Sequence, residues 1–355
     1  MKTALLHYWL TDMRGGEKVL AALGEMFPEA DVFTHAYAPS RVSCLKSHRI
    51  RESFIASLPF GRRHPQAYLP LLPMATRSLR LDGYDLIISS ESGPIKGIRK
   101  PAGTRHICYC HTPMRYLWDM HADYYRDAGL GGKLAMKLFT PYLRREDLKS
   151  ADSVDTFVAN SHFVAERVKR IYGRASIVVH PPVDVKFFSS PIEQSTNRTT
   201  EQSPYYLFAG APVKYKRLDL AVAACKRMGR KLVVAGGGGF SPEDMRRCYA
   251  EARALLFPGI EDFGIVPVEA QAAGTPVVAF GQGGALETVK EGETGLFFHE
   301  QTVEGLCRAI EEFEGRLWDR DKCIANAKCF GIGAFKSGMR KVVSGRFGIA
   351  GAERL

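Results

Sequence analysis

With 355 residues, 45% of them hydrophobic and 25% charged, the chain has enough sequence for about two domains with ordinary cores. It has no run of about 18 apolar residues, which excludes a membrane-spanning helix, and no nucleic-acid-binding module accompanies its net charge of +11. The charge is uneven, a net +8 over residues 1–185 against +3 over the rest, so the first half suits a phosphorylated substrate or anionic lipid better than nucleic acid.

In chain order, Met1–Trp9 reads as a first strand without a signal-peptide cleavage site. Gly15-Gly16 then opens a helix over Gly16–Phe27. Paired glycines let a backbone approach a ligand closely, although such a pair is usually just a turn. Strands are predicted at 3–8, 31–35, 84–90, 105–110, 154–159 and 176–180. A helix over Ser161–Tyr172 is capped by Asn160-Ser161. Three segments mix cations with apolar residues: Arg62-Arg63-His64, Arg77–Arg80 and Lys133–Phe139. Each suits reversible contact with an anionic bilayer, and equally a solvated helix whose apolar side enters the core. Eight cysteines without metal-ligand spacing read as reduced thiols.

The polar, aperiodic stretch 189–204 reads as an interdomain linker between domains at 1–188 and 205–355. The second half restarts with strand Tyr205–Ala209, helix Leu218–Met228, strand Lys231–Ala235 and helix Pro242–Arg253. Helices after about residue 315 are expected to complete it and pack back toward the first domain. Strands alternating with helices twice over give an α/β fold of two Rossmann-like, doubly wound domains.

One stretch carries the most chemistry. The apolar run Ala254–Phe257 reads as a buried strand, Pro267 as the first position of the next helix, and Gly274 as its stop. Glu261 then lies on the loop after the strand and Glu269 in the first turn of the helix. Phosphate favours such a helix start, whereas two carboxylates there suit sugar hydroxyls; together they describe a nucleotide sugar. A solvated loop acid and a first-turn glutamate that suits the helix dipole are the plain alternative.

Phe257–Gly295, with Glu261/Glu269, Ala272–Ala279 and Gly283–Val289, resembles the donor-site signature of glycosyltransferase family 4, retaining enzymes of the GT-B fold. The resemblance implies two domains facing across a cleft, a nucleotide-sugar donor, and neither cofactor nor metal. It assigns Gly15 and Gly16 to a loop under the donor diphosphate. His111, otherwise readable as a structural residue past a strand end, would lie beside the transferred sugar. Lys216 aligns with the diphosphate-neutralising lysine. The start of the helix at Gly264-Ile265-Val266 would add to the phosphate site, Glu269 would accept from the ribose, and Glu261 would bind hydroxyls of the sugar. The run from His111 to Asp119 is similar to a subgroup of mannosyltransferases that build bacterial surface polysaccharides. That similarity implies GDP-mannose, with UDP-sugars as the alternative, and a polyprenyl-linked glycan acceptor at an anionic membrane. The protein is then expected to be cytoplasmic, peripheral on the inner face of the cell membrane.

Two departures stand against this. Ala211 occupies the place of the family's usual arginine, with Lys214 and Arg217 as neighbouring substitutes. Val233–Phe240 runs straight into Ser241–Asp244, short of the family pattern by roughly one helix and one strand, so the second domain is expected to be shortened. Both motivate a rival reading, a non-catalytic nucleotide-sugar-binding or assembly protein. A hydrolase using Glu261 and Glu269 as a carboxylate pair fits less well, because the helix start favours two ionised carboxylates.

Overall fold

The computed structural model describes residues 1–190, 205–236 and 239–345. The chain divides into two compact units, Met1–Val179 joined by residues 336–345, and His180–Phe335. The division falls at 179/180 rather than at 188, because His180 belongs with the second unit. There it bonds Glu287 at 3.0 Å and stacks on Phe263. The segment expected to be a linker lies outside the described residues from 191 onward.

The first unit is built on a seven-stranded, all-parallel sheet. Its strands are β1 (Thr3–His7), β2 (Asp31–Thr34), β3 (Ile50–Glu52), β4 (Leu86–Glu91), β5 (Arg105–Cys110), β6 (Thr156–Ala159) and β7 (Ser176–Val178), in the order β3-β2-β1-β4-β5-β6-β7. Around it lie α1 (Gly15–Met26), α2 (Leu72–Arg77), α3 (His121–Asp127), α4 (Leu130–Ser150) and α5 (His162–Tyr172). β1, β4 and most of β5 are buried along their length, as central parallel strands covered on both faces must be. β3 escaped the sequence reading because it is three half-buried residues, Ile-Arg-Glu, at the sheet edge.

The second unit begins with α6 (Val185–Ser189) and holds a five-stranded parallel sheet. Its strands are β8 (Tyr206–Ala209), β9 (Leu232–Ala235), β10 (Leu255–Phe257), β11 (Val277–Phe280) and β12 (Gly295–Phe298), ordered β12-β11-β10-β8-β9. Its further helices are α7 (Leu218–Arg227), α8 (Pro242–Glu251), α9 (Ile265–Ala272), α10 (Ala285–Thr288), α11 (Val303–Glu314) and α12 (Arg320–Lys328); α13 (Ile332–Val343) carries the chain into the first unit. In the usual dinucleotide-binding order, a third strand lies outside the second. Here β9 is the edge strand, and it ends at Ala235 only a short way before α8 starts at Pro242. Among the described residues the expected shortening is therefore visible as one strand and its helix. The cost is partial exposure of an apolar strand, with Val234 42% accessible.

Two buried histidines make the first unit acid-sensitive. His35 hydrogen-bonds Ser53 and Thr76, and His106 bonds Ser89 and the Ser153 carbonyl. Burial pulls each down to about 4. A histidine depressed in the fold contributes stability that is present above its unfolded pKa, near ~6.5, and is lost as pH falls toward the folded value. Each should remove about 1.4 kcal/mol per pH unit in that window. Calorimetry should show the first unit's transition dropping between pH 7 and pH 5; a flat profile would contradict neutral burial.

Candidate donor site

In the second unit, the C-terminal ends of β8 and β10 converge on one ion pair. After β8 the chain passes through Gly210 and a single turn, Lys214–Lys216. The Lys216 ammonium lies 2.9 Å from Glu261 Oε1, with both side chains mostly buried. Gly210 is held at φ +122°, a conformation that favours glycine, and a side-chain carbon there would come within 2.7 Å of the ammonium and displace it. Past β10, the loop Pro258–Phe263 delivers Glu261, and its carbonyl accepts the Gly284 N–H at 2.8 Å.

Gly264, at φ +86°, caps α9, and no side chain closes the helix start. Ile265 and Val266 are therefore its first two residues, and their N–H groups lack intrahelical acceptors. Pro267 sits third rather than first, still within the turn whose N–H groups need no partner. Glu269 is buried and accepts from the Tyr249 hydroxyl at 2.9 Å, which holds one carboxylate oxygen in place. Burial, reinforced by Glu269, pushes the Tyr249 phenol far up, so it stays a donor. Tyr249 was missed because the contact comes from α8 packing beside α9.

Arg217 does not replace the arginine lost at Ala211. It donates to Asp219 and to Gln301, and Gln301 in turn donates to the Pro258 carbonyl. Arg217 therefore braces the loop that carries Glu261. Lys214 is exposed beside it. Asp319-Arg320-Asp321 is a D-x-D sequence, but Asp319 caps α12 by accepting from the Asp321 and Lys322 amides. Among the described residues, no group of three or more histidine, cysteine or acidic side chains is arranged to hold a metal.

The first unit brings its own set together. Gly15 and Gly16 begin α1, and a side-chain carbon on Gly16 would stand 3.3 Å from the His7 ring and 3.4 Å from His111 Nε2. His111 Nε2 bonds Ser90 at 2.9 Å. Burial, then the His7 ring, pulls His111 down to about 3, so it is a neutral imidazole that neither donates a charge nor repels a cation. His7 was missed although it ends β1. It is fully buried, neither ring nitrogen makes a hydrogen bond, and Nε2 lies 3.6 Å from Glu17. Burial alone would raise the Glu17 carboxyl, but the His7 ring and the Arg14 amide hold it below its ordinary value.

Beneath this set, Lys96 is buried between Glu91 at 3.2 Å and Asp147 at 2.7 Å. Trp118 and Tyr172 also donate to Asp147. The His111–Trp118 segment is thus tied at its far end to a buried charge cluster.

Residues 13–187 match the family model described as Glycosyltransferase Family 4, and residues 237–329 match that described as Glycosyl transferases group 1. A D-inositol 3-phosphate glycosyltransferase of Mycobacterium tuberculosis is 33% identical over 213 residues, 48% of this chain and 44% of the relative. The protein so named from Xylanimonas cellulosilytica is 30% identical over 184 residues, 40% of this chain and 44% of the relative. The chain spans less than half the length of these relatives. Among solved structures, sucrose-phosphate synthase from Thermosynechococcus elongatus superposes with a TM-score of 0.72 at 18% identity, covering 98% of this chain and 99% of that one. Anabaena HepE in complex with UDP and glucose gives 0.66 at 16%, covering 97% and 100%. At these identities the likeness is one of fold, the two parallel-sheet units of GT-B.

Proposed function

The chain belongs to glycosyltransferase family 4, and from that premise we propose that it moves a sugar from a nucleotide-diphosphate donor to an acceptor hydroxyl with retention of configuration. The observation that carries this is the Lys216–Glu261 pair beside the uncapped start of α9; because that helix begins at Ile265, Glu269 lies just past its first turn rather than in it. Donor binding exchanges partners: the diphosphate takes the Lys216 ammonium and the α9 amides, and Glu261 turns to hydroxyls of the sugar. Glu269, steadied by Tyr249, accepts from the ribose. For Gly15, Gly16 and neutral His111 the proposed roles are those the resemblance implies, diphosphate contact for the glycines and sugar contact for the histidine. The bond from the anomeric carbon to the phosphate oxygen breaks and the acceptor oxygen bonds that carbon on the same face. The acceptor proton passes to the departing phosphate oxygen, giving glycoside and nucleoside diphosphate. Lys216 and the helix dipole offset the charge that develops, a role a metal fills in other enzymes.

The donor we favour is GDP-mannose, on the likeness of His111–Asp119 to surface-polysaccharide mannosyltransferases. A UDP-sugar is the second reading, favoured by the UDP and UDP-glucose bound to HepE. The acceptor is a polyprenyl-linked glycan met at the inner face of an anionic membrane, which the net +8 of residues 1–185 suits. The non-catalytic alternative keeps two observations of its own, Ala211 and the edge position of β9.

Thermal stability with GDP, UDP and ADP tests the donor site. A ligand at about 100 times its Kd adds roughly 2.7 kcal/mol to the state it binds. A shift selective for GDP supports the favoured donor, one for UDP the second, and no shift with any nucleotide removes the proposal. Glu261→Gln should keep the nucleotide shift while turnover falls about a hundredfold, the scale of one lost pre-organised contact; unchanged turnover would remove the role of Glu261.

A further inference from the structure

Of the three segments that mix cations with apolar residues, two are engaged by the fold. Arg62 pairs with Glu52, Arg77 pairs with Glu146, and Leu79 enters the core. The third lies on α4, and there the structure reverses the ordinary amphipathic arrangement. Leu130, Leu134 and Leu138, spaced one turn apart, are 90%, 69% and 65% exposed. The same helix enters the core through Leu143, Asp147 and Ser150. Leu134 and Leu138 each lie nine residues, about two and a half turns, from Leu143 and Asp147, and so on the opposite side of the helix. An apolar stripe facing away from the core has no packing role within this unit.

Charge selects what covers it. Lys133, Lys137, Arg144, Arg145 and Lys149 stand on the helix. Its two acids are turned to partners in the fold, Glu146 to Arg77 and Asp147 to Lys96. A second copy laid against this face would bring lysine against lysine, whereas an anionic lipid surface would meet both the leucines and the cations.

We propose that the exposed face of α4, centred on Leu134 and Leu138 and flanked by Lys133 and Lys137, docks the protein on an anionic bilayer. This deepens the proposed function, on whose membrane-borne acceptor it rests. The leucines enter the acyl boundary while the lysines reach headgroup phosphates, so binding is reversible and weakens with salt.

Flotation of the full chain with phosphatidylcholine vesicles, alone or mixed with phosphatidylglycerol, tests this without nucleotide. The protein should float with the mixed vesicles and not with phosphatidylcholine alone, and added salt should release it. Leu134→Ser/Leu138→Ser and, separately, Lys133→Glu/Lys137→Glu should each cut binding by more than about tenfold. Because all four side chains lie wholly or partly in solvent, melting temperature and nucleotide shift should stay unchanged. Absence of flotation by the unaltered protein, or flotation untouched by either double variant, would overturn the proposal. So would concentration-dependent self-association abolished by the leucine variant, which would assign the face to a second copy. Flotation that survives when no nucleotide shifts the melt would leave the membrane surface standing and remove the transferase reading instead.

Discussion

Replacing Lys216 by alanine should lower donor turnover about a thousandfold and weaken nucleotide binding as well, at the upper end of what one pre-organised group at a developing charge contributes. The reasoning is geometric. Lys216 is held by a turn, its ammonium rests against Gly210, and its carboxylate partner Glu261 is one that a diphosphate can replace. With alanine at 211 and Arg217 committed to Asp219 and Gln301, the charge lost at 216 is not restored by the arginine next to it. The contrast with Glu261→Gln is diagnostic. The glutamine variant should lose turnover with nucleotide affinity kept, whereas the lysine variant should lose both. Steady-state donor consumption and a calorimetric nucleotide titration read the two effects separately. A Lys216→Ala protein of ordinary affinity and turnover would remove the diphosphate from this end of the sheet.

The largest expected effect on stability lies in the other unit. Lys96→Met leaves Glu91 and Asp147 facing each other in the core without their shared cation. Breaking a buried ion pair from one side costs about 3–5 kcal/mol, because the remaining charge is left without a partner. Burial already raises the Glu91 carboxyl despite Lys96, so the variant should protonate one carboxyl rather than keep both ionised. At about 2–4 °C per kcal/mol for a unit of this size, the first transition should fall by roughly 6–20 °C. Trp118 donates to Asp147, so loss of the cluster also frees the end of the segment that begins at His111. Scanning calorimetry with an unchanged first transition would contradict this.

The parts of the fold that the sequence made legible are those written locally. The β10–α9 step could be read because its signals lie within twenty residues: an apolar run, a loop glutamate, glycine and proline at the helix start, glycine at its stop. The shortened second unit was equally readable, since the glycine run after β9 passes straight to Ser241-Pro242. What stayed hidden comes from residues distant in sequence. Glu91 and Lys96 meet Asp147 only after α4 packs against the turn Pro94–Lys96, and Tyr249 meets Glu269 only through packing of α8 on α9. His7 looked like one more strand residue, because burial without a hydrogen-bond partner leaves no mark on composition. At helix α4 the sequence left bilayer contact and a core-facing apolar side equally open. Its stripe of leucines has the spacing of a core face, yet the fold turns it to solvent, and Pro141 interrupts the pattern midway.

The central claim is sugar transfer, and the most direct measurement is radiolabel passage from donor to lipid. The full chain would be incubated with labelled GDP-mannose or UDP-glucose and a bacterial membrane lipid extract, beside its Glu261→Gln variant. The account predicts label in the organic phase from one donor, released as an α-linked sugar and falling about a hundredfold in the variant. Label from neither donor, from a protein that still binds nucleotide, would contradict it.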